Sequence, residues 1–270
     1  MFVTIINDCK DDNARARQES RVASLCDATI SFIGVDSDLE AGMQLLDILD
    51  ATEGRPGLVL VNVAPRGGHT TKWENGTPFG YFWYQDTLIL SSVDGLALAG
   101  AKHFDILPEV ALLSTRTAAP AMAEAGFISD EAAAHIPFTQ FRSFDFIPRA
   151  GVFLLLGNDL PYEPYELTDI PDLPAAIWHI DNFGNCKTTL TPERIASAPS
   201  IKTRFGDYQY INRLRDLPDN ESGLVRGSSG LHDTRLLELM HQRGNFAALH
   251  NVQIGDDLFS EQSHFIRATN

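Results

Sequence analysis

The first 63 residues alternate strand and helix signals, and that order leaves few folds open. Residues 2–6 form a β-branched run, residues 12–25 a polar helical stretch, and residues 28–33 a second strand. Residues 38–49 carry apolar side chains at helical spacing (Leu39, Met43, Leu46, Ile48, Leu49), and residues 58–63 are a third, largely apolar strand. Parallel neighbours need a crossover between them, so a β-α-β-α-β order predicts a mostly parallel sheet with helices on its faces. Residues 79–84 and 87–93 read as two further strands, and the Ala-rich stretch 118–134 as helix broken at Gly126.

The character changes after Leu156. Residues 161–171 combine Pro, Tyr and acidic residues with little periodicity, which predicts a linker. Beyond it, short strands are expected at 177–180, 188–190, 208–211, 223–225, 246–250 and 263–267, with a helix over 231–242 and a flexible turn at Gly227-Ser228-Ser229-Gly230. Strands this closely spaced suggest a small all-β, barrel-like domain. The expected organisation is an α/β domain over 1–160 and a barrel-like domain over 172–270.

Composition excludes several partners. The net charge of −15 argues against nucleic acid and anionic membrane. No apolar run approaches the roughly 18 residues of a membrane span. The opening Met-Phe-Val-Thr-Ile-Ile-Asn-Asp lacks a basic segment and enters a strand directly, unlike a signal peptide. Cys9, Cys26 and Cys186 match neither a disulfide framework nor a zinc site, so a reducing cytoplasm is the expected setting. His232, His241 and His250 recur every nine residues, which is not a ligand spacing on a helix. The glycine patterns of dinucleotide and phosphate loops are absent, and no metal or cofactor is implied.

The most informative chemistry lies in Ile180-Asp181-Asn182-Phe183-Gly184-Asn185-Cys186-Lys187-Thr188. It reads as strand, tight turn and strand. The Asp181 carboxylate can hold an ammonium, the Phe183 ring offers a flat apolar wall, and the Asn185 carboxamide can read a heterocycle edge. The same Asp and Asn can equally serve only to shape the turn.

Asp-x-Phe-Gly-Asn followed by a Thr-containing strand resembles the opening of the C-terminal domain of the S-adenosylmethionine (SAM) hydroxide adenosyltransferases, whose superfamily includes fluorinases and chlorinases. The resemblance continues along the chain in order. Asp8 ends the first strand, with Asp11-Asp12 resembling a following acidic pair; Asp38-Leu39-Glu40-Ala41-Gly42 is similar to a helix start; and Ala64-Pro65-Arg66-Gly67-Gly68 follows the third strand. Gln85-Asp86-Thr87-Leu88-Ile89-Leu90 resembles the strand segment Pro-Asp-Asn-Gly-Leu-Leu. Phe141-Arg142-Ser143-Phe144-Asp145 is similar to Phe-His-Gly-Arg-Asp, and Gln242-Arg243-Gly244 to the turn that binds the methionine carboxylate. The resemblance implies that Asp8 and Asp11 hold the ribose side, that Asp181, Phe183, Asn185, Gln242 and Arg243 hold methionine and adenine, and that the protein is a homotrimer. The trimer would place Asp8 of one subunit with Asp181 of the next.

The implied reaction is an in-line displacement at C5′, with water as default nucleophile, giving adenosine and L-methionine. The sulfonium is already an activated leaving group, so catalysis would rest on positioning the nucleophile and stripping its water. His69, Asp86, Arg142 and Ser143 are the candidates around the nucleophile. The sequence departs from the family in that set: its aspartate is Ala64, its arginine falls near Thr71 or Lys72, and its histidine is Arg142. The loop expected to close over adenine is missing after Asn251. A relative that binds a SAM-like ligand without turning it over is the alternative.

Overall fold

A computed structural model describes residues 1–65, 76–107, 109–195 and 200–259. The chain divides into two compact units, Met1–Asp172 and Leu173–Asn270. His69, Arg66, Gly67, Gly68, Thr71, Lys72 and the strand expected at 263–267 lie outside the described residues.

In the first unit β1 (Phe2–Asn7), α1 (Asp12–Ala23), β2 (Thr29–Gly34), α2 (Asp38–Thr52) and β3 (Gly57–Asn62) follow the expected alternation. Then come β4 (Phe79–Tyr84), β5 (Thr87–Ser92), α3 (Ala99–His103), β6 (Val110–Leu113), α4 (Thr115–Glu124), α5 (Asp130–His135), α6 (Arg142–Asp145), α7 (Ile147–Leu155) and β7 (Tyr162–Tyr165). The sheet order is β2-β1-β3-β5-β4-β6-β7. Pairing is parallel from β2 through β5 and antiparallel from β5 through β7, so the sheet is mixed where a mostly parallel one was expected. The reason is local. Gln85 adopts a positive φ of 52° and turns β4 straight back into β5, and a hairpin can only give antiparallel neighbours.

The segment expected to be a linker contributes β7, an edge strand paired with β6. Its Pro, Tyr and Glu suit an edge, where one row of backbone groups needs no partner. The expected helix over 118–134 is two helices, α4 and α5, with Gly126 between them at φ 72°.

The core of this unit packs Val3, Ile5, Leu58, Leu60, Leu88 and Leu90 from the parallel strands against Phe146, Ala150 and Phe153 of the 142–155 region. One polar knot sits inside it. Asn7, fully buried at the end of β1, donates from Nδ2 to Gln18 Oε1 of α1 at 2.6 Å, and its Oδ1 accepts from Asn62 Nδ2 at 3.2 Å and from Cys9 N at 2.8 Å. Buried amides are tolerated only when they are paired.

The second unit contains β8 (Ile177–Ile180), β9 (Cys186–Thr188), β10 (Ser200–Thr203), β11 (Gly206–Ile211), β12 (Ser222–Leu231), β13 (Thr234–His241) and α8 (Phe246–His250). The sheet order is β10-β11-β12-β13-β9-β8. All pairs are antiparallel except β11 with β12. Three expectations are overturned. Residues 231–242 form strand β13, not a helix, and residues 246–250 form one helical turn, not a strand. β13 is buried on both faces, so it shows no alternation to distinguish it from a buried helix. The α8 turn is set by Asn245, whose Oδ1 accepts from Ala248 N at 2.7 Å as an N-cap. Gly227-Ser228-Ser229-Gly230 lies within β12, where the register against β13 shifts between Arg226 and Gly230. No helix among the described residues is long and apolar enough to cross a membrane.

Gln18→Ala leaves the Asn7 Nδ2 group buried without its acceptor. It is expected to lower the unfolding free energy by about 1–3 kcal/mol, the cost of an orphaned buried donor. Urea unfolding measures it; an unchanged midpoint would show that the Asn7 knot is not a stability element.

Candidate functional site

In the first unit, β1 crosses to β2 on one side and the chain then returns to β3 on the other. The carboxyl ends of β1 and β3 therefore flank a topological switch point, the usual ligand position in sheets of this kind. Asp8 stands there. Its backbone N donates to Asn62 O at 3.3 Å, and its Oδ2 accepts from Ala64 N at 3.1 Å. Asp11 is an N-cap: Oδ1 accepts from Asn13 N and Ala14 N at 3.1 and 3.0 Å, and the residue is exposed. Its carboxylate is thus committed to opening α1.

Asp86 does not join Asp8. It sits in the β4–β5 turn, and the register places the start of β5 beside Gly57 and Phe2, at the opposite end of the parallel strands. Six residues at roughly 3.3 Å each separate those levels by about 20 Å. The position at the carboxyl end of β5 is instead occupied by Asp94-Gly95-Leu96, which sequence reading passed over. Leu96 N donates to Asp38 Oδ2 at 2.8 Å, tying the start of α2 to this turn. The available signal was Val-Asp-Gly-Leu directly after a buried strand.

Arg142 opens the short α6, with Ser143 next to it. Arg142 is half-buried, and its guanidinium lies 5.0 Å from the centroid of the Phe79 ring. Burial pulls its pKa down to about 10, so it remains protonated at neutral pH. It does not pair with Asp145, three residues on in the same short helix. Asp145 accepts from Thr139 Oγ1 at 2.7 Å and faces His135 and Arg149 at 3.6 and 3.8 Å.

The second unit brings five candidates together. Asp181, Phe183, Asn185, Gln242 and Arg243 line one open pocket of about 810 Å³, although about 60 residues separate the two groups. The cause is a close approach of two turns. Gly184 has φ 83°, and a methyl group on it would collide with the Asn245 side chain. Ala247 N also donates to Gly184 O at 3.0 Å. The Asp181 turn is therefore seated on the capping residue that follows Gln242-Arg243-Gly244.

Within the pocket, Asp181 Oδ1 accepts from Phe183 N and Asn185 N, both at 2.9 Å, and Oδ2 accepts from Asn185 Nδ2 at 2.9 Å. Burial alone would raise its pKa, but these bonds and the charge of Lys187 hold it below the ordinary carboxylate value. Asp181 thus does shape its turn, while staying an anion with acceptor capacity to spare. The Phe183 ring is 68 % exposed, an unusual state for a phenyl group beside a pocket. Arg243, at φ 62°, extends from its turn and pairs with Asp219 at 2.9 Å. Arg226, Glu238 and Asn245 also line the pocket and were missed in the sequence; Glu238 is almost fully buried and accepts from Ser228 N at 3.3 Å.

No family model matches the sequence, and no curated protein matches it at a significant level. Solved structures do match the fold. An uncharacterized conserved protein from Thermotoga maritima superposes with a TM-score of 0.64 at 14% identity, covering 94% of this chain and 98% of that one. A conserved hypothetical protein from Thermus thermophilus gives 0.56 at 17% identity, covering 94% and 97%. The fold of this chain is thus similar, over nearly its whole length, to that of two bacterial proteins.

Gly184→Ala is expected to destabilise the protein by about 1–3 kcal/mol, because it strains a left-handed backbone position and forces Asn245 away. Thermal unfolding with circular dichroism measures this; a variant as stable as wild type would show that the two turns do not depend on their contact.

Proposed function

We propose that the protein binds S-adenosyl-L-methionine and cleaves it slowly at C5′, with water as nucleophile, to adenosine and L-methionine. The observation that carries the reading is the convergence of Asp181, Phe183, Asn185, Gln242 and Arg243 on one pocket. A carboxylate for an ammonium, a guanidinium for a carboxylate, an exposed ring and a carboxamide are the groups that a zwitterionic nucleoside needs. Asp8 at the switch point supplies a second support, since a carboxylate there can accept both protons of a vicinal diol. The resemblance of the sequence to SAM hydroxide adenosyltransferases joins the two.

In the reaction, the water oxygen bonds to C5′ as the C5′–S bond breaks. The bonding pair passes to sulfur, giving the neutral thioether of methionine, and water's extra proton goes to solvent. No general acid is needed at a sulfonium. What is missing is help for the water. Ala64 offers a methyl group where the resemblance would have a carboxylate, and Arg142 is a fixed cation that stays protonated. These two residues favour slow turnover, well below a typical rate of about 10 per second, and they are also what favours the second reading, a protein that binds a SAM-like ligand without cleaving it.

Calorimetric titration with SAM is expected to show binding that Asp181→Ala weakens by about 1.5–3 kcal/mol, the scale of a hydrogen bond to a charged group. Absence of heat at millimolar SAM would end the reading. Chromatography of SAM incubations separates the two alternatives: slow adenosine release supports cleavage, and bound SAM without product supports binding alone.

The same resemblance leads us to propose a homotrimer, and the unpaired cysteines Cys9, Cys26 and Cys186 a cytoplasmic setting. Light scattering at micromolar concentration is expected to give three times the mass of one chain, and a monodisperse monomer would refute the assembly.

A further inference from the structure

The first unit contains a cavity of about 440 Å³ that shares Arg142, but none of the substrate-binding residues, with the SAM reading. It is walled by the start of β4, the end of β6, the first turn of α4, Arg142 and the start of β7. We propose that this cavity binds a small organic phosphate monoester, with the phosphate held by Arg142 and the first turn of α4 and the organic body lying along Phe79, Leu112 and Tyr162.

The argument starts from Arg142. Among the described residues its guanidinium has no carboxylate within ion-pair distance and no hydrogen-bond acceptor, yet it is half-buried over the Phe79 ring. A guanidinium carries five donors in a planar fork, and withdrawing them from water without acceptors is costly. The lowered pKa near 10 reflects the same uncompensated burial. The position is also held open by the backbone. Gly76 lines the cavity with φ 68°, and a methyl group there would collide with Arg142.

The opposite wall presents donors. Arg116 adds a second cation, and Ser114 and Thr115 add hydroxyl groups, while the Thr117 hydroxyl donates to Ser114 O at 3.2 Å. These residues form the cap and first turn of the ten-residue α4, where Arg116 N donates to Ser114 Oγ at 3.3 Å and Thr117 N to Ser114 O at 3.2 Å, so that of the first three N–H groups only that of Thr115 carries no such bond. Glu163, exposed, is the one carboxylate among the described lining residues. In a chain with 36 acidic and 21 basic residues, two arginines and one acid among the described lining residues are a local inversion of charge.

A phosphate dianion suits this set better than a carboxylate, because it offers three strongly accepting oxygens to two guanidinium groups, the Ser114 and Thr115 hydroxyls and the Thr115 N–H. The volume falls within the range of roughly 300–1,000 Å³ that small organic ligands occupy. Tyr162, half-exposed, and Leu112 supply an apolar wall for the organic part.

The test is calorimetric titration of the full chain with phenyl phosphate, inorganic phosphate and benzoate. Phenyl phosphate is expected to bind, inorganic phosphate to bind more weakly for want of an apolar body, and benzoate to bind at least about tenfold more weakly, the scale of one hydrogen bond to a charged group. Arg142→Gln is expected to reduce phenyl phosphate affinity by about tenfold or more. Thr117→Glu is the second variant. It completes a Ser114-x-x-Glu capping box, which stabilises the helix start, and adds an anion to the cavity wall. It is expected to melt no lower than wild type and to lose phenyl phosphate binding, so it decides the matter even if Arg142→Gln does not fold. No heat with phenyl phosphate, equal affinity for benzoate, or binding untouched by Thr117→Glu would each overturn the proposal. SAM carries no phosphate, so titration of wild type with SAM reports separately on the function proposed above.

Discussion

Strand β1 is hydrogen-bonded in parallel on both sides, to β2 and to β3, and most of the first unit follows from that. A strand with two parallel neighbours cannot be reached by hairpins, so both connections must cross the sheet, and α1 and α2 are those crossovers. Two-sided burial then demands a largely apolar, β-branched run, which Val3, Thr4, Ile5 and Ile6 provide. The run ends where polar groups are first needed. Asn7 is still buried and is satisfied by Gln18, Asn62 and Cys9; Asp8, one residue on, is where the chain emerges. The reactive-looking carboxylate is thus a by-product of where the sheet's hydrogen bonding stops and the backbone of residues 62–64 turns away.

The second unit solves a different problem, that of fixing an open pocket on a small sheet. It does so by packing one turn onto another without side-chain bulk between them, Gly184 against Asn245. Each turn has its own internal hydrogen bonds, from Asp181 in one and Asn245 in the other. Their union sets the pocket wall before any ligand arrives, which reduces the ordering cost of binding.

The alternation of the first 63 residues was legible because long periodic elements announce themselves, and β1, α1, β2, α2 and β3 all lie within a few residues of their expected places. The mixed character of the sheet was legible but overlooked: only Gln85 and Asp86 separate the strands expected at 79–84 and 87–93, too few for the crossover that parallel neighbours need. β13 was misread because burial on both faces erases the period of two. Asp86 was misplaced by a similar cause: Gln85-Asp86-Thr87-Leu88-Ile89-Leu90 shares residue types with the segment it resembled, and only strand direction reveals that it lies at the wrong end. The convergence of Asp181 with Arg243 was anticipated from resemblance, but the contact responsible, at Gly184 and Asn245, is a tertiary packing detail that no local pattern encodes.

β7 lies at the edge of its sheet and carries Pro164 opposite Ala111 of β6. Proline offers no N–H to a further strand, and Glu163 next to it adds charge along the same edge. Four residues that resemble a tether in composition therefore act as a guard rail. A fragment ended before Tyr162 would leave β6, with Val110, Ala111, Leu112 and Leu113, as a bare apolar border open to intermolecular strand pairing, and the soluble excision point for this unit lies beyond Tyr165, towards Asp172.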